Sequence, residues 1–286
     1  MSNSPKPAKK NKNRNKSKSS NDSLIDTVQG ISSVLDALRG LPTMPPSLYI
    51  DLEGVNLSRH GTISILQIYV STTRRTYLID VATLGEKAFS TPGVHTPDTL
   101  TSMLQSPLIP KVFFDVRNDS DALFSRYGIR LEGVHDIQLL ELASRWGKKT
   151  HIKGLQSCMD DLPMTKAERE GWDRAKEKGK ELFRPEKGGS YEVFNQRPLR
   201  NDIIKYCVQD VQYLPRLWTL YHEKIKRAWA VKAQKAAQDR VLESQAPDFD
   251  SNGPGKTRGP SDWAPPKKAA TQETGAQETT TPSTEP

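Results

Sequence analysis

The sequence predicts an α/β fold, a mixed sheet flanked by helices with disordered N- and C-terminal tails. Three observations carry this expectation. Three strand-like runs, LYIDLEG, TISILQIYV and TYLIDV, follow one another closely, the last two joined by the polar turn STTRR, which is the pattern of an antiparallel meander. From Pro97 onward strand-like and helix-like segments alternate, as in a sheet covered by helices. The 286 residues suffice for one domain of about 180 to 200 residues plus tails.

Residues 1–22 form a basic arm with nothing to bury. From Ser23, the residues Leu24, Ile25, Val28, Ile31, Leu35 and Leu38 recur at helical spacing, with Ser23 or Asp22 as cap and Gly40 as stop. After the turn-forming LPTMPP comes the meander. Pro97 to Leu104 reads as a short helix, KVFFDV as a buried strand and SDALFSRYG as a helix ended by Gly128. GVHDIQLLELASR reads as a short strand running into a helix. A charged insertion at about 163–196 has a helix signal and a Gly-rich turn but few core candidates, and is expected on the surface. PLRNDIIKYCVQDVQYL restores the apolar period, and Pro215 restarts a long helix that should fray beyond about Val241. The expected domain is 23–244, followed by a disordered polar tail at 245–286 rich in Pro, Thr, Gly, Gln and Glu.

The first twenty residues hold seven Lys or Arg and no acid, so of the net charge of +8 only about +1 belongs to the rest. Such an arm fits three uses equally: holding a polyanion, serving as a nuclear address, or solubilising an end. No apolar segment follows it, and no stretch approaches the roughly 18 apolar residues of a membrane span. A soluble intracellular protein, nuclear or cytoplasmic, with no membrane partner is expected. Cys158 and Cys207 stand alone, with no CxxC or Cys/His cluster, which argues against a disulfide framework and structural zinc.

Side chains alternate along a strand, so in LYIDLEG the residues Tyr49, Asp51 and Glu53 share one face and Leu48, Ile50 and Leu52 the other. Paired carboxylates among apolar neighbours raise each other's pKa and are costly to desolvate unless cations neutralise them. A solvated strand end is the commoner setting of an isolated DxE, so the motif by itself does not decide. Asp119 follows the strand KVFFDV at the entrance to a helix, where a carboxylate can cap or point to the sheet's edge; Asp115 and Asp121 compete with it for any metal role. Tyr206 and Asp210, four residues apart in a helical segment, lie one above the other on a single face.

Taken together, DLEG, KVFFDVRNDSDAL and YCVQD resemble the motifs of the DEDDy class of 3′-to-5′ exonucleases, with the nearest likeness to ribonuclease D-like and Egalitarian or EXD-type domains. The resemblance covers about residues 24 to 228 and extends to GVNLSRHGTISILQI, HDIQLLELA, KGL and RPL. It implies a ribonuclease H-like fold in which Asp51, Glu53, Asp119 and Asp210 hold two divalent cations and Tyr206 helps to place the attacking water. Asp119 is favoured over Asp115 and Asp121 by that match alone. Two cations about 3.5 to 4 Å apart would activate water and neutralise the leaving 3′ oxygen, and oxygen-only ligands suit Mg²⁺ or Mn²⁺. An unperturbed tyrosine titrates near pH 10, so Tyr206 should orient water by a hydrogen bond rather than act as a strong base. Lys205, not a histidine, stands five residues before Asp210, which disfavours the sister class. Phe114 stands where the motif often has a histidine.

The expected function is metal-dependent 3′-to-5′ hydrolysis of RNA or single-stranded DNA; the alternative is a catalytically inactive nucleic-acid-binding adaptor on the same fold. Candidate nucleic-acid contacts are Leu57, Arg59, His60, Arg117 and Lys153, with Arg74, Arg75, Lys148 and Lys149 as further cations. The insertion and the tails could carry a protein partner. An acidic endonuclease or integrase of related architecture should lack the YxxxD helix present here.

Overall fold

The computed structural model describes residues 23–264. The basic arm and the last stretch of the expected tail, 1–22 and 265–286, lie outside the described residues. A six-stranded mixed sheet is built from β1 (Leu24–Ile25), β2 (Leu48–Glu53), β3 (Ile65–Val70), β4 (Arg75–Asp80), β5 (Lys111–Phe113) and β6 (Val134–Asp136), in the order β1-β4-β3-β2-β5-β6. The meander β2–β3–β4 is antiparallel, and β5 and β6 run parallel to β2. On the chain between and after these strands lie α1 (Val28–Leu38), α2 (Val81–Leu84), α3 (Lys87–Ser90), α4 (Leu100–Leu104), α5 (Arg117–Tyr127), α6 (Ile137–Ser144) and α7 (Leu155–Met159). They are followed by α8 (Lys166–Phe183), α9 (Asn201–Gln212), α10 (Leu214–Lys224) and α11 (Arg227–Gln245).

Leu24 and Ile25 depart from the helix expected of them. They pair with Leu78 and Ile79 as an edge strand, and α1 starts later, where the Thr27 hydroxyl accepts a hydrogen bond from the Gly30 amide at 3.1 Å. The helix expected after Pro215 breaks at Ile225 and Lys226, and α11 then continues past Val241. It packs on α5 and α6 through Ala233, Ala236 and Ala237, whose small side chains allow close approach.

The charged insertion is not confined to the surface. In α8 the residues Trp172, Gly179 and Phe183 are buried, with Lys176 between them on the same face, a spacing of four, three and four residues. Phe183 joins Val193, Phe194, Ile203, Ile204 and Cys207 in a second core over Ile65 and Leu78 of the sheet. High charge on the other faces of α8 hides this stripe from a composition reading. Residues 246–264, assigned to a polar tail by composition, likewise lie along the domain. The Ile152 amide donates to the Thr257 carbonyl at 3.2 Å and the Gly259 amide to Thr150 at 3.0 Å. Trp263 is buried edge-on against Trp229, ring centres 5.2 Å apart. Backbone hydrogen bonds and one tryptophan replace the apolar run that would have signalled order.

Asp136 fixes the turn that delivers α5. Its carboxylate accepts from the amides of Asp115 and Val116, both at 3.2 Å, and of Gln138 at 3.0 Å, and from the Arg240 guanidinium of α11 at 2.7 Å. Both ion-pair partners are buried. Arg240→Ala would leave this carboxylate without its cation, and such losses cost about 3–5 kcal/mol; the midpoint of urea unfolding should fall accordingly, with an unchanged slope.

Candidate acidic centre

β2 and β5 are parallel, so their carboxyl ends open on the same edge of the sheet, and α5 starts there directly after β5. Asp51 and Glu53 project from the last residues of β2, Asp119 from the first turn of α5, and Tyr206 and Asp210 from α9, which crosses the same face. Carboxylate oxygens of Asp51, Glu53 and Asp210 all lie within 4.8 Å of one another. Asp119 stands next to this trio, close enough that the charge on Asp51 is the second cause of its raised pKa, after burial. One of its oxygens, Oδ1, is buried and has no hydrogen-bond partner among the described residues.

The structure separates the three candidate aspartates. Asp115, in a left-handed backbone conformation, takes both arms of the Arg117 guanidinium at 2.6 and 2.7 Å. Asp121 is buried and accepts from Arg59 twice, from Nε at 2.7 Å and from the backbone amide at 2.8 Å. Asp119 alone of the three faces the other acids without an arginine.

Such a concentration of charge has visible electrostatic consequences. Desolvation, then the neighbouring Asp210, pushes Asp51 up to about 7. Burial, Asp51 and Asp210 raise Glu53 well above the carboxylate range. Tyr206 is raised well above 10 by burial and by the three facing carboxylates. Both effects favour the protonated phenol, a form suited to positioning a neighbour by hydrogen bonding.

The sequence reading missed one residue that bears directly on this centre. Lys176 of α8 reaches down between the helices: its ammonium contacts Asp210 Oδ1, lies 3.4 Å from the Tyr206 hydroxyl and sits 4.5 Å from the centre of that ring. It is largely buried, with 12 % of its side chain exposed. Gly179, one turn on, permits this approach, because a Cβ there would stand 2.3 Å from the Tyr206 ring. The signal was the spacing of Trp172, Gly179 and Phe183, which aims Lys176 inward.

The candidate nucleic-acid contacts fall in two groups. Arg59, Arg117 and Lys153 are engaged within the fold. Arg59 holds Asp121 and the carbonyls of Ser244, Ala246 and Pro247; Arg117 holds Asp115 and the Lys256 carbonyl; Lys153 pairs with Asp161 at 2.9 Å. Lys149 is likewise engaged, donating to the carbonyls of Leu142 and Ala143 at the end of α6. Leu57, half-buried, and His60, exposed, lie in the loop after β2, while Arg74, Arg75 and Lys148 are exposed. That loop folds back tightly on the strand: a Cβ on Gly54 would stand 1.9 Å from the Thr62 carbonyl oxygen, which accounts for the glycine after the two acids.

The donor set fits divalent cations. It offers hard oxygen ligands only, converging within reach of one ion, with a buried carboxylate oxygen beside them lacking any partner.

With the sheet order and the acids of β2, α5 and α9 in view, the chain belongs to the 3′-5′ exonuclease family, whose model matches residues 24–226. Among known proteins it is similar to the piRNA biogenesis protein EXD1 of Mus musculus, 38 % identical over 95 residues, and to that of Xenopus laevis, 40 % identical over 86 residues. These matches cover 33 % and 30 % of this chain and span only 15 % and 17 % of those proteins. The fold is that of RNase D: the Trypanosoma brucei enzyme in complex with RNA U12 matches with a TM-score of 0.65 at 20 % identity, over 84 % of this chain and 76 % of that one. Escherichia coli RNase D, an exoribonuclease involved in structured RNA processing, matches with a TM-score of 0.55 at 18 % identity, over 78 % of this chain and 50 % of that one.

Two outcomes are expected. Lys176→Met leaves Asp210 without its cation; in chelator it should lose about 3–5 kcal/mol of stability, and Mn²⁺ should restore most of it, as read by urea unfolding with and without the metal. The second concerns pH. The proton on Asp51 is held more tightly in the folded protein, up to about 7, than on an ordinary aspartate, so this group's contribution to metal-free stability is full below about pH 4 and is lost as pH rises through about 7. Cations compete with that proton, so the rise in Tm on adding Mn²⁺ should be larger at about pH 7.5 than at about pH 5.5.

Proposed function

We propose that the chain removes nucleotides from the 3′ end of RNA, or of single-stranded DNA, by hydrolysis dependent on two divalent cations, Mg²⁺ or Mn²⁺. The observation that carries this reading is the meeting of Asp51, Glu53, Asp119, Asp210 and Tyr206 at one sheet edge, from three elements far apart in the chain. RNA is favoured as substrate because RNase D proteins of the same fold have been solved with RNA or described as exoribonucleases.

The four acids would hold the cations, which when bound would supply activation of water and neutralisation of charge on the departing 3′ oxygen. Tyr206, kept protonated by its surroundings, orients the attacking water through its hydroxyl. Leu57, half-buried, and His60, exposed, in the loop next to Glu53, would abut the terminal base. Lys176 neutralises part of the acidic charge and restrains Asp210 and the Tyr206 hydroxyl.

The same lysine gives the adaptor reading one specific support, since an ammonium already engages a carboxylate that a cation would need. Incubation of the purified protein with 3′-labelled and 5′-labelled RNA and DNA oligomers, in Mg²⁺, in Mn²⁺ and in chelator, separates the two. The expected result is metal-dependent shortening from the 3′ end that Asp51→Asn reduces by more than about 100-fold, the upper end of what loss of an outer-shell partner costs. Tight binding with no cleavage under any condition would replace the enzyme with the adaptor.

A further inference from the structure

Beyond the acids, the domain carries a second concave surface whose chemistry suits a polyanion. A groove of about 1230 Å³ lies on the other flank of α8 and α9, over β3 and β4 and against the turn between them. Arg74 of the turn, Arg75 at the start of β4, Arg174 and Lys178 of α8 and Lys205 of α9 line it, and all five are exposed. Against them stands a single lining carboxylate, Asp202, 3.5 Å from Lys205. Arg74, Arg75 and Lys178 make no ion pair among the described residues, and Arg174 has only Glu170 at 3.9 Å. Five cations around one acid repel one another and gain by receiving anionic charge.

The lining is more than a charged surface. Half-buried Tyr69 is among the lining residues, and aromatic faces stack with any base. The Arg75 guanidinium lies over the Tyr77 ring, 4.7 Å from its centre, which holds the cation in place. Gln209, also in the lining, is the neighbour of Asp210, and Lys176 and Lys178 leave α8 toward the acids and the groove respectively. The two sites are thus separated by helices about 10–12 Å across with their side chains. Ser23 lines the groove too.

We propose that this groove binds the phosphodiester backbone of a single-stranded RNA upstream of its 3′ end, with Tyr69 as a stacking face for one base. The inference rests on the exonuclease reading only in placing the 3′ end at the acids. It makes the body of a long strand a determinant of affinity that a very short oligomer cannot use.

The test uses the full chain with Arg74→Gln, Arg75→Gln and Lys178→Gln combined, compared with Lys87→Gln, Arg126→Gln and Lys224→Gln, which remove equal charge elsewhere. Binding of a fluorescent single-stranded 30-mer RNA is measured by anisotropy across a salt series, each set carrying Asp51→Asn to prevent hydrolysis. Three lost phosphate contacts should lower the slope of log K against log salt by about 2, from roughly 0.7 per contact on a single strand, and weaken binding by roughly tenfold or more. The comparison set should retain the original slope, and thermal melting should report both sets folded. With Asp51 intact, hydrolysis of a trinucleotide should be unchanged by the groove substitutions, while the 30-mer shows a raised KM. Equal losses in both sets, or no loss in either, would overturn the groove. Failure of the unsubstituted protein to cleave the trinucleotide would instead count against the exonuclease reading and leave the binding comparison to decide the groove alone.

Discussion

The fold gathers negative charge at one edge of a sheet and must compensate it. Asp51, Glu53, Asp119 and Asp210 are brought together, the first two half-buried and the last two buried, and desolvation is the first cause of the raised pKa at the first three. Buried carboxylates at this spacing are tolerable only with cations or protons among them. Within the chain the answer is Lys176, carried on a helix whose polar faces turn to solvent and whose apolar stripe seals the second core. The placement of α8, the closeness allowed by Gly179 and the orientation of Tyr206 all follow from that requirement.

A second layer of ion pairs engages the other aspartates near this cluster. Asp115, Asp121 and Asp136 surround the start of α5, each bound to an arginine: Arg117, Arg59 and Arg240. Their effect is selection. Of four aspartates near the β5–α5 turn, three are neutralised within the fold, and Asp119 is left facing the acids of β2. Arg240 and Arg59 also tie α5 and the loop after β2 to α11 and the segment beyond it, so the geometry of the edge depends on residues more than a hundred positions away.

Much of this was legible in the sequence because it rests on short periods and local spacing. The meander, the shared face of Asp51 and Glu53 and the stacked pair Tyr206 and Asp210 follow from strand alternation and helical pitch, and each holds in the structure. What was hidden depends on long-range contact. Composition marked α8 as surface because all of its residues but Trp172, Leu182 and Phe183 are polar or small, and only the spacing of Trp172, Gly179 and Phe183 betrays a buried stripe. Arg59, Arg117 and Lys149 read as free cations in a list of residues; Arg59 is engaged by the distant Asp121 of α5, while Arg117 and Lys149 fold back on Asp115 and on the carbonyls at the end of α6, contacts that their spacing does not announce. The segment after α11 has too few apolar residues to announce itself, and is placed by backbone hydrogen bonds and Trp263.

The way Arg59 is held has a practical side for anyone trimming the protein. Two of the three carbonyls it grips, those of Ala246 and Pro247, come after the last residue of α11, and Lys256, farther along, reaches the Asn118 side chain next to Asp119. A shortened version ending at the helix boundary would retain every acid and yet unfasten the loop beside them. Expression boundaries drawn from composition would thus cut through a clasp.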